Sequence, residues 1–174
     1  GFYVFELPVH ESLAAIALWL IVLSLALVAG LHFARGGIVS TPRGLRVHPR
    51  ARLHLGALGA ALFSLLAVRA WLAQFALFDS DLGPVTGASY ADVHARLPAL
   101  RAQVAAAVVG AALVFLGGTR GRPSLVGVAV AVYFAVEILG VRALPSLVHR
   151  FTVLPNEAEK EAPFIEHNIA ATRA

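Results

Sequence analysis

The sequence predicts an all-α integral membrane protein, a bundle of four transmembrane helices with an ordered outer loop and tail. Two observations predict this class: an excess of apolar residues and four apolar stretches of membrane-spanning length. Hydrophobic residues make up 59% of the chain and charged residues only 14%, whereas soluble domains have about 45–50% and about 25%. The chain contains no cysteine, so disulfide and thiol chemistry are excluded.

The four apolar stretches lie near residues 12–34, 53–78, 98–118 and 124–148. At about 1.5 Å per residue, each is long enough to cross a hydrocarbon core of about 30 Å. The first stretch carries no formal charge. Pro98 can occupy the first turn of the third helix. The sequence GGTRGRP, between the third and fourth stretches, predicts a tight helical hairpin.

The charges of the short loops predict the topology. Two loops contain arginine and no acid, with Arg35, Arg43, Arg46, Arg50, Arg52, Arg120 and Arg122. The loop between the second and third stretches and the C-terminal tail are acidic instead. Their acids are Asp79, Asp81, Asp92, Glu157, Glu159, Glu161 and Glu166. Because arginine-bearing loops stay in the cytoplasm, both chain ends are expected outside. Residues 1–150 then form the transmembrane domain and residues 151–174 an extracytoplasmic tail. Thirteen Arg against one Lys in a chain rich in alanine, leucine and valine suggest a GC-rich bacterial genome, so the expected location is a bacterial inner (cytoplasmic or intracytoplasmic) membrane.

Two charges inside the spans are the first candidates for a site, because charges in hydrocarbon are costly unless paired or solvated. Arg69 lies nine residues before Phe78 and Glu137 eleven before Val148, which places them about 14 and about 16 Å deep at about 1.5 Å per residue. The matching depth predicts an interhelical ion pair. A proton or ion relay is the alternative, although a relay needs further groups of this kind.

His32 and His54 lie at the cytoplasmic ends of the first two spans. Two facing histidines could ligate a haem iron or a chlorophyll magnesium, but interfacial histidines are more often anchors, and we expect no cofactor and no metal. The basic loop 40–46 is expected to contact lipid headgroups. It is short and lacks aromatics, so nucleic acid is not an expected partner. No nucleophile elbow, phosphate loop or HExxH motif is present, so the chain is not expected to be an enzyme.

The outer loop and the tail contain the candidate contacts to partners. Ser89 and Asp92 have the spacing of a variant capping box, which predicts a short helix that Pro98 interrupts. The candidate contact residues are Tyr90, Val93, Leu97, Phe151, Phe164 and Ile165. Large apolar side chains are rare in disordered tails, so we expect the tail to dock on residues 90–100 or on a neighbouring subunit at the same membrane face. Pro155 and Pro163 are expected to keep its path extended between helical pieces.

The segments FYVFELP, TGASYADVHARLPALR and PNEAEKEAPFIEHNIAATRA together resemble uncharacterised protein family 0182, a family of large multi-pass bacterial membrane proteins. The resemblance implies an N-terminal bundle of spans followed by a large extracytoplasmic domain. This chain would then match the last spans and the entrance to that domain, and both of its ends are interpreted as cuts. The resemblance implies no activity and no catalytic residues.

Two functions remain open at this stage. The first is a non-catalytic structural or assembly subunit of a larger membrane complex, with respiratory and photosynthetic complexes as candidate hosts. Runs of small residues in the second and third spans favour it, since they permit close helix contact. The second is a transporter or channel component that uses the intramembrane Arg69 and Glu137. The lipid bilayer and other membrane-protein subunits are the expected partners.

Overall fold

The computed structural model describes residues 1–42, 44–80 and 87–173. Its α-helices are α1 (Leu7–Ala34), α2 (Pro49–Ala73), α3 (Leu97–Arg120), α4 (Pro123–Ala135), α5 (Leu144–Val148) and α6 (Glu157–Arg173). A two-stranded antiparallel sheet, β1 (Ile38–Thr41) and β2 (Gly44–Val47), lies between α1 and α2. The predicted all-α class is confirmed. Arg43, Asp81 and Ala174, which entered the sequence predictions, lie outside the described residues.

Four of the described helices are long and apolar enough to cross a membrane by length and composition. Including their π and 3-10 segments, they are Phe2–Ala34, Pro49–Phe78, Asp92–Arg120 and Pro123–Glu166. The helices exceed the predicted spans, and the largest difference is in the fourth, which continues past residue 148 into the tail. The hairpin predicted from GGTRGRP is present: α3 ends at Arg120, Gly121 has φ +66°, and α4 begins at Pro123.

Prolines do not end these helices as the sequence suggested. Four segments form π-helix, and each ends two residues before a proline: Phe2–Glu6, Asp92–Arg96, Val136–Ala143 and His149–Val153. A proline within a helix lacks an N–H and clashes with the preceding turn, and a wider π turn is one way to relieve that conflict. The prediction that Pro98 interrupts its helix is therefore wrong.

The tail is also helical where an extended path was expected. Leu154–Asn156 form a 3-10 turn after Val153, and α6 contains Pro163 within it. Glu157 and Glu159 lie in the first turn of α6, where carboxylates interact favourably with the helix dipole. The expectation that Pro155 and Pro163 hold the chain extended is wrong.

The chain divides into two compact units, and the tail does not form one by itself. Unit 1 comprises Gly1–Arg69 and Val104–Tyr133, and unit 2 comprises Ala70–Gln103 and Phe134–Ala174. The core of unit 1 is an apolar cluster in which the Phe63 and Tyr133 rings pack edge to face at 5.6 Å. Unit 2 contains buried apolar residues such as Leu100 and Val153 together with buried polar groups.

Candidate functional site

The described helix that contains α3 begins with a closed capping arrangement in unit 2. The Ser89 hydroxyl donates a hydrogen bond to Asp92 Oδ2 at 2.9 Å, and the Ser89 N–H donates to the same oxygen at 3.2 Å. In return, the Asp92 N–H donates to Ser89 Oγ at 3.3 Å. This reciprocal pattern satisfies N–H groups that lack partners at a helix start. The capping box predicted from the spacing is confirmed.

A second carboxylate reaches the same helix start from the tail. The Tyr90 N–H donates to both carboxylate oxygens of Glu161, at 3.2 and 3.3 Å. Glu161 is 1% exposed and is the largest of the fully buried side chains among the described residues. The N–H groups of a helix start carry partial positive charge, so they provide the favourable interaction that a buried carboxylate requires. Glu161 therefore fixes α6 to the outer loop.

Aromatic contacts surround the hydrogen bonds between Glu161 and Tyr90. The Tyr90 ring stacks on His94 at a centroid distance of 4.0 Å and meets Phe164 edge to face at 6.4 Å. Lys160 Nζ lies 5.6 Å from the centroid of the Tyr90 ring, a cation–π distance. The predicted docking of the tail on the outer loop is confirmed at Tyr90 and Phe164.

The other candidate contact residues differ in their burial. Leu97 and Ile165 are half-buried within unit 2, whereas Val93 is exposed. Phe151 is 69% exposed, and Arg150 rather than the outer loop lies near its ring. Val153, two residues further on, is fully buried. The tail is therefore anchored through Val153, Glu161 and Phe164, and Phe151 does not take part.

From the sequence, Glu161 was used only as one of the acids of the tail that predict the topology, and no contact was predicted for it. A signal was nevertheless available: Glu161, Phe164 and Ile165 have the i, i+3, i+4 spacing that places side chains on one helix face. An acid that shares a helix face with two large apolar residues indicates a buried carboxylate, provided that the segment is helical. The sequence reading missed it because it assumed an extended chain around Pro163.

Glu137 lies in a polar cluster of unit 2 with two partners from the same unit. Arg142 Nε donates to Glu137 Oε1 at 2.8 Å, and Gln103 Nε2 donates to Glu137 Oε2. The described ion pair of Glu137 is thus with Arg142, while the pairing of Glu137 with Arg69, a residue of unit 1, stays a prediction. The physical reason for the pairing with Arg142 is the π-helix Val136–Ala143, whose wider turn aligns residues five apart.

His32 and His54 come together in unit 1, as the sequence suggested. Their ring centroids are 5.8 Å apart and the rings meet edge to face. The described residues include no group of three or more histidine, cysteine or acidic side chains able to hold a metal ion. The geometry is that of two packed rings joining the end of α1 to the start of α2. Their assignment as anchors, without a cofactor, stays a prediction.

The helices and the docked tail define a class: a segment of a helical, multi-span membrane protein with an ordered polar extension. The chain belongs to the Uncharacterised protein family (UPF0182), whose family model matches residues 1–174. The resemblance proposed from the loop and tail sequences is therefore confirmed.

Curated relatives in several bacteria carry the family name. A UPF0182 protein of Pelobacter propionicus is 33% identical over 173 residues, and one of Geobacter sp. strain M21 is 36% identical over 173 residues. One of Cupriavidus necator is 40% identical over 176 residues. Each match covers 99% of this chain but 19% of the relative, so the chain spans about a fifth of their length. No solved structure matches.

Proposed function

We propose that this chain is a non-catalytic structural or assembly element of a larger membrane complex, which holds an extracytoplasmic segment in a fixed position on its helices. The observation that carries the proposal is the buried Glu161 carboxylate on the Tyr90 N–H. A carboxylate removed from water and held by backbone donors restricts where α6 can lie. A flexible linker would not need such a contact.

The exposed apolar surface of α1 supports an assembly role. Its described side chains are largely uncovered within unit 1: Leu27 is 73% exposed, Trp19 67% and Leu20 60%. In a membrane, lipid tails or other helices cover such a surface, and neighbouring subunits compete with lipid for it through close packing. The proposed partners are therefore the bilayer and other membrane-protein subunits.

The test is a substitution of the buried carboxylate with a matched exposed control. Glu161→Gln removes the charge that contacts the Tyr90 N–H. Glu159→Gln removes an exposed charge two residues away on the same helix. We expect faster proteolysis of α6 and weaker co-migration with partner subunits on native gels for Glu161→Gln alone, because a buried group that loses its favourable interaction costs about 1–3 kcal/mol. Equal behaviour of the two variants would contradict the proposal.

The proposed location is the bacterial inner membrane with both chain ends outside, and the arginine distribution supports it. Since the chain has no cysteine, single cysteines give a clean test. In whole cells, an impermeant maleimide should label Glu159→Cys and should label Arg46→Cys only after the membrane is opened. The reverse pattern would invert the topology.

A second candidate function, a transporter or channel component, is favoured by the Glu137 cluster. Gln103 is 4% exposed and the Glu137 side chain 21%, and polar groups inside spans often mark ion paths. Reconstitution in liposomes tests this candidate. An ion or proton flux that Glu137→Gln abolishes and Glu159→Gln leaves intact would favour transport over the structural role.

A further inference from the structure

The first turn of α2 contains a half-buried guanidinium whose Nε atom lacks an acceptor. Arg52 is half-buried in unit 1, and its Nε atom is buried with no hydrogen-bond partner among the described residues. An arginine carries five N–H donors and stays charged at any physiological pH. A buried N–H of a cationic group without an acceptor is costly, so this position favours the binding of an anion.

The turn between α3 and α4 holds this guanidinium in place. Gly121 has φ +66°, and a Cβ added there would lie 1.9 Å from Arg52 Nη1 and 2.7 Å from Cζ. The guanidinium therefore lies directly against the turn, in space that any other residue would fill. The backbone beneath it is equally close, since a Cβ on Gly118 would meet the Arg52 carbonyl oxygen at 2.8 Å. Arg52 is thus fixed between α2 and the α3–α4 turn.

The surroundings of Arg52 are cationic. Arg120 and Arg122 flank Gly121 in the turn, and the only acids in the sequence of unit 1 are Glu6 and Glu11. The contact between His32 and His54 places Arg52 near the end of α1, whereas Glu11 lies 21 residues earlier along that helix, about 30 Å away at about 1.5 Å per residue. No acid of unit 1 therefore lies where it could neutralise the Arg52 guanidinium at the start of α2.

We propose that Arg52, with Arg120 and Arg122, forms a binding site for a phosphate group carried by an anion. A guanidinium matches the oxygens of phosphate through paired N–H donors. The group lies where α2 begins and α3 ends, at the level of the headgroups if these helices span a bilayer. Two sources share this chemistry: the headgroup of an acidic phospholipid and free inorganic phosphate.

The experiment measures lipid retention by the purified chain. In nanodiscs that mix phosphatidylglycerol with phosphatidylcholine, native mass spectrometry counts the lipids that remain bound. We expect wild type to retain phosphatidylglycerol and Arg52→Gln to lower that retention about tenfold, because a charge-assisted hydrogen bond in a fixed site contributes more than the general attraction of one basic residue to an anionic surface. Arg46→Gln is the matched control, because Arg46 is an exposed arginine of β2 in the same unit.

Two further variants distinguish the effect of the position of the Arg52 guanidinium from the effect of its charge and from misfolding. Gly121→Ala keeps every charge but displaces the guanidinium, so it should lose phosphatidylglycerol as Arg52→Gln does. Arg52→Lys keeps the charge without the planar donors and should lose less. Both are compared with wild type by thermal unfolding in nanodiscs of phosphatidylcholine alone, so that a loss of binding in a folded variant is recognised.

A second measurement uses inorganic phosphate to distinguish free phosphate from a lipid headgroup. If phosphate raises the unfolding temperature in phosphatidylcholine nanodiscs, and Arg52→Gln removes that shift, the site takes free phosphate. If only phosphatidylglycerol binding depends on Arg52, the site takes a lipid headgroup. Both results support the site. Equal losses in Arg52→Gln and Arg46→Gln, or no loss in any folded variant, would overturn it.

Discussion

The two units are stabilised in different ways. In unit 1, helices approach at glycines: a Cβ on Gly56 would lie 2.9 Å from the Gly118 Cα, and one on Gly110 would lie 2.5 Å from the Phe63 ring. In unit 2, polar groups are buried instead. All of the buried polar or charged residues described in the structure belong to unit 2: Ser80, Ser89, Asp92, Gln103 and Glu161.

The difference follows from what each unit offers to a polar group. Unit 1 contains the starts of α1, α2 and α4, but its sequence has only two acids, Glu6 and Glu11, so few carboxylates are available there to accept from the free N–H groups. Close contact of small residues is the available source of stability in such a region. Unit 2 contains the helix start at residues 89–92, where the N–H groups of Ser89 and Tyr90 donate to the carboxylates of Asp92 and Glu161. Buried carboxylates therefore lie where a helix start and an acid occur in the same unit.

The largest expected effect is at the glycine contact of unit 1. Gly118→Val should destabilise the chain by about 2–3 kcal/mol, because a Cβ there meets the backbone of Gly56 and Arg52, which cannot move aside as a side chain can. Gly127→Val is the control, since nothing lies within 4 Å of a Cβ at that glycine. Unfolding by sodium dodecyl sulfate titration in mixed micelles measures both. Equal stabilities would mean that close packing does not hold unit 1.

The second effect concerns the capping box of unit 2. Ser89→Ala removes both hydroxyl bonds to Asp92 and should cost about 1 kcal/mol, as loss of an N-cap does. Ser146→Ala removes a single exposed bond to the Arg142 carbonyl and should cost less. Hydrogen exchange at residues 89–93 reports the local effect. Unchanged exchange in Ser89→Ala would show that Glu161 alone secures the helix start.

Sequence reasoning predicted the parts of this arrangement that depend on local spacing. The Ser89–Asp92 box and the hairpin at GGTRGRP were read from such spacing, and the docking of Phe164 near Tyr90 from the apolar residues of the tail. Sequence reasoning did not predict the features that depend on how a helix accommodates proline. The π turns before Pro98 and Pro145 keep their helices continuous, and one of them pairs Glu137 with Arg142. The contact of Glu161 with Tyr90 joins residues 71 positions apart, so no local pattern specifies it.

The smallest expected effect tests whether the exposed ion pair of unit 2 matters beside its buried groups. Arg142 is 75% exposed in its pair with Glu137 and lies six residues before Val148, so its long side chain can reach water at the proposed outer face of the membrane. Solvent screening there leaves ion pairs with about 0–1 kcal/mol. Arg142→Gln should therefore cost no more than about 0.5 kcal/mol relative to Arg101→Gln, which changes another exposed arginine of the same unit. The same detergent titration applies. A loss well above that of Ser89→Ala would show that Glu137 depends on Arg142, and the stability of unit 2 would then rest on a surface charge as well as on its buried carboxylates.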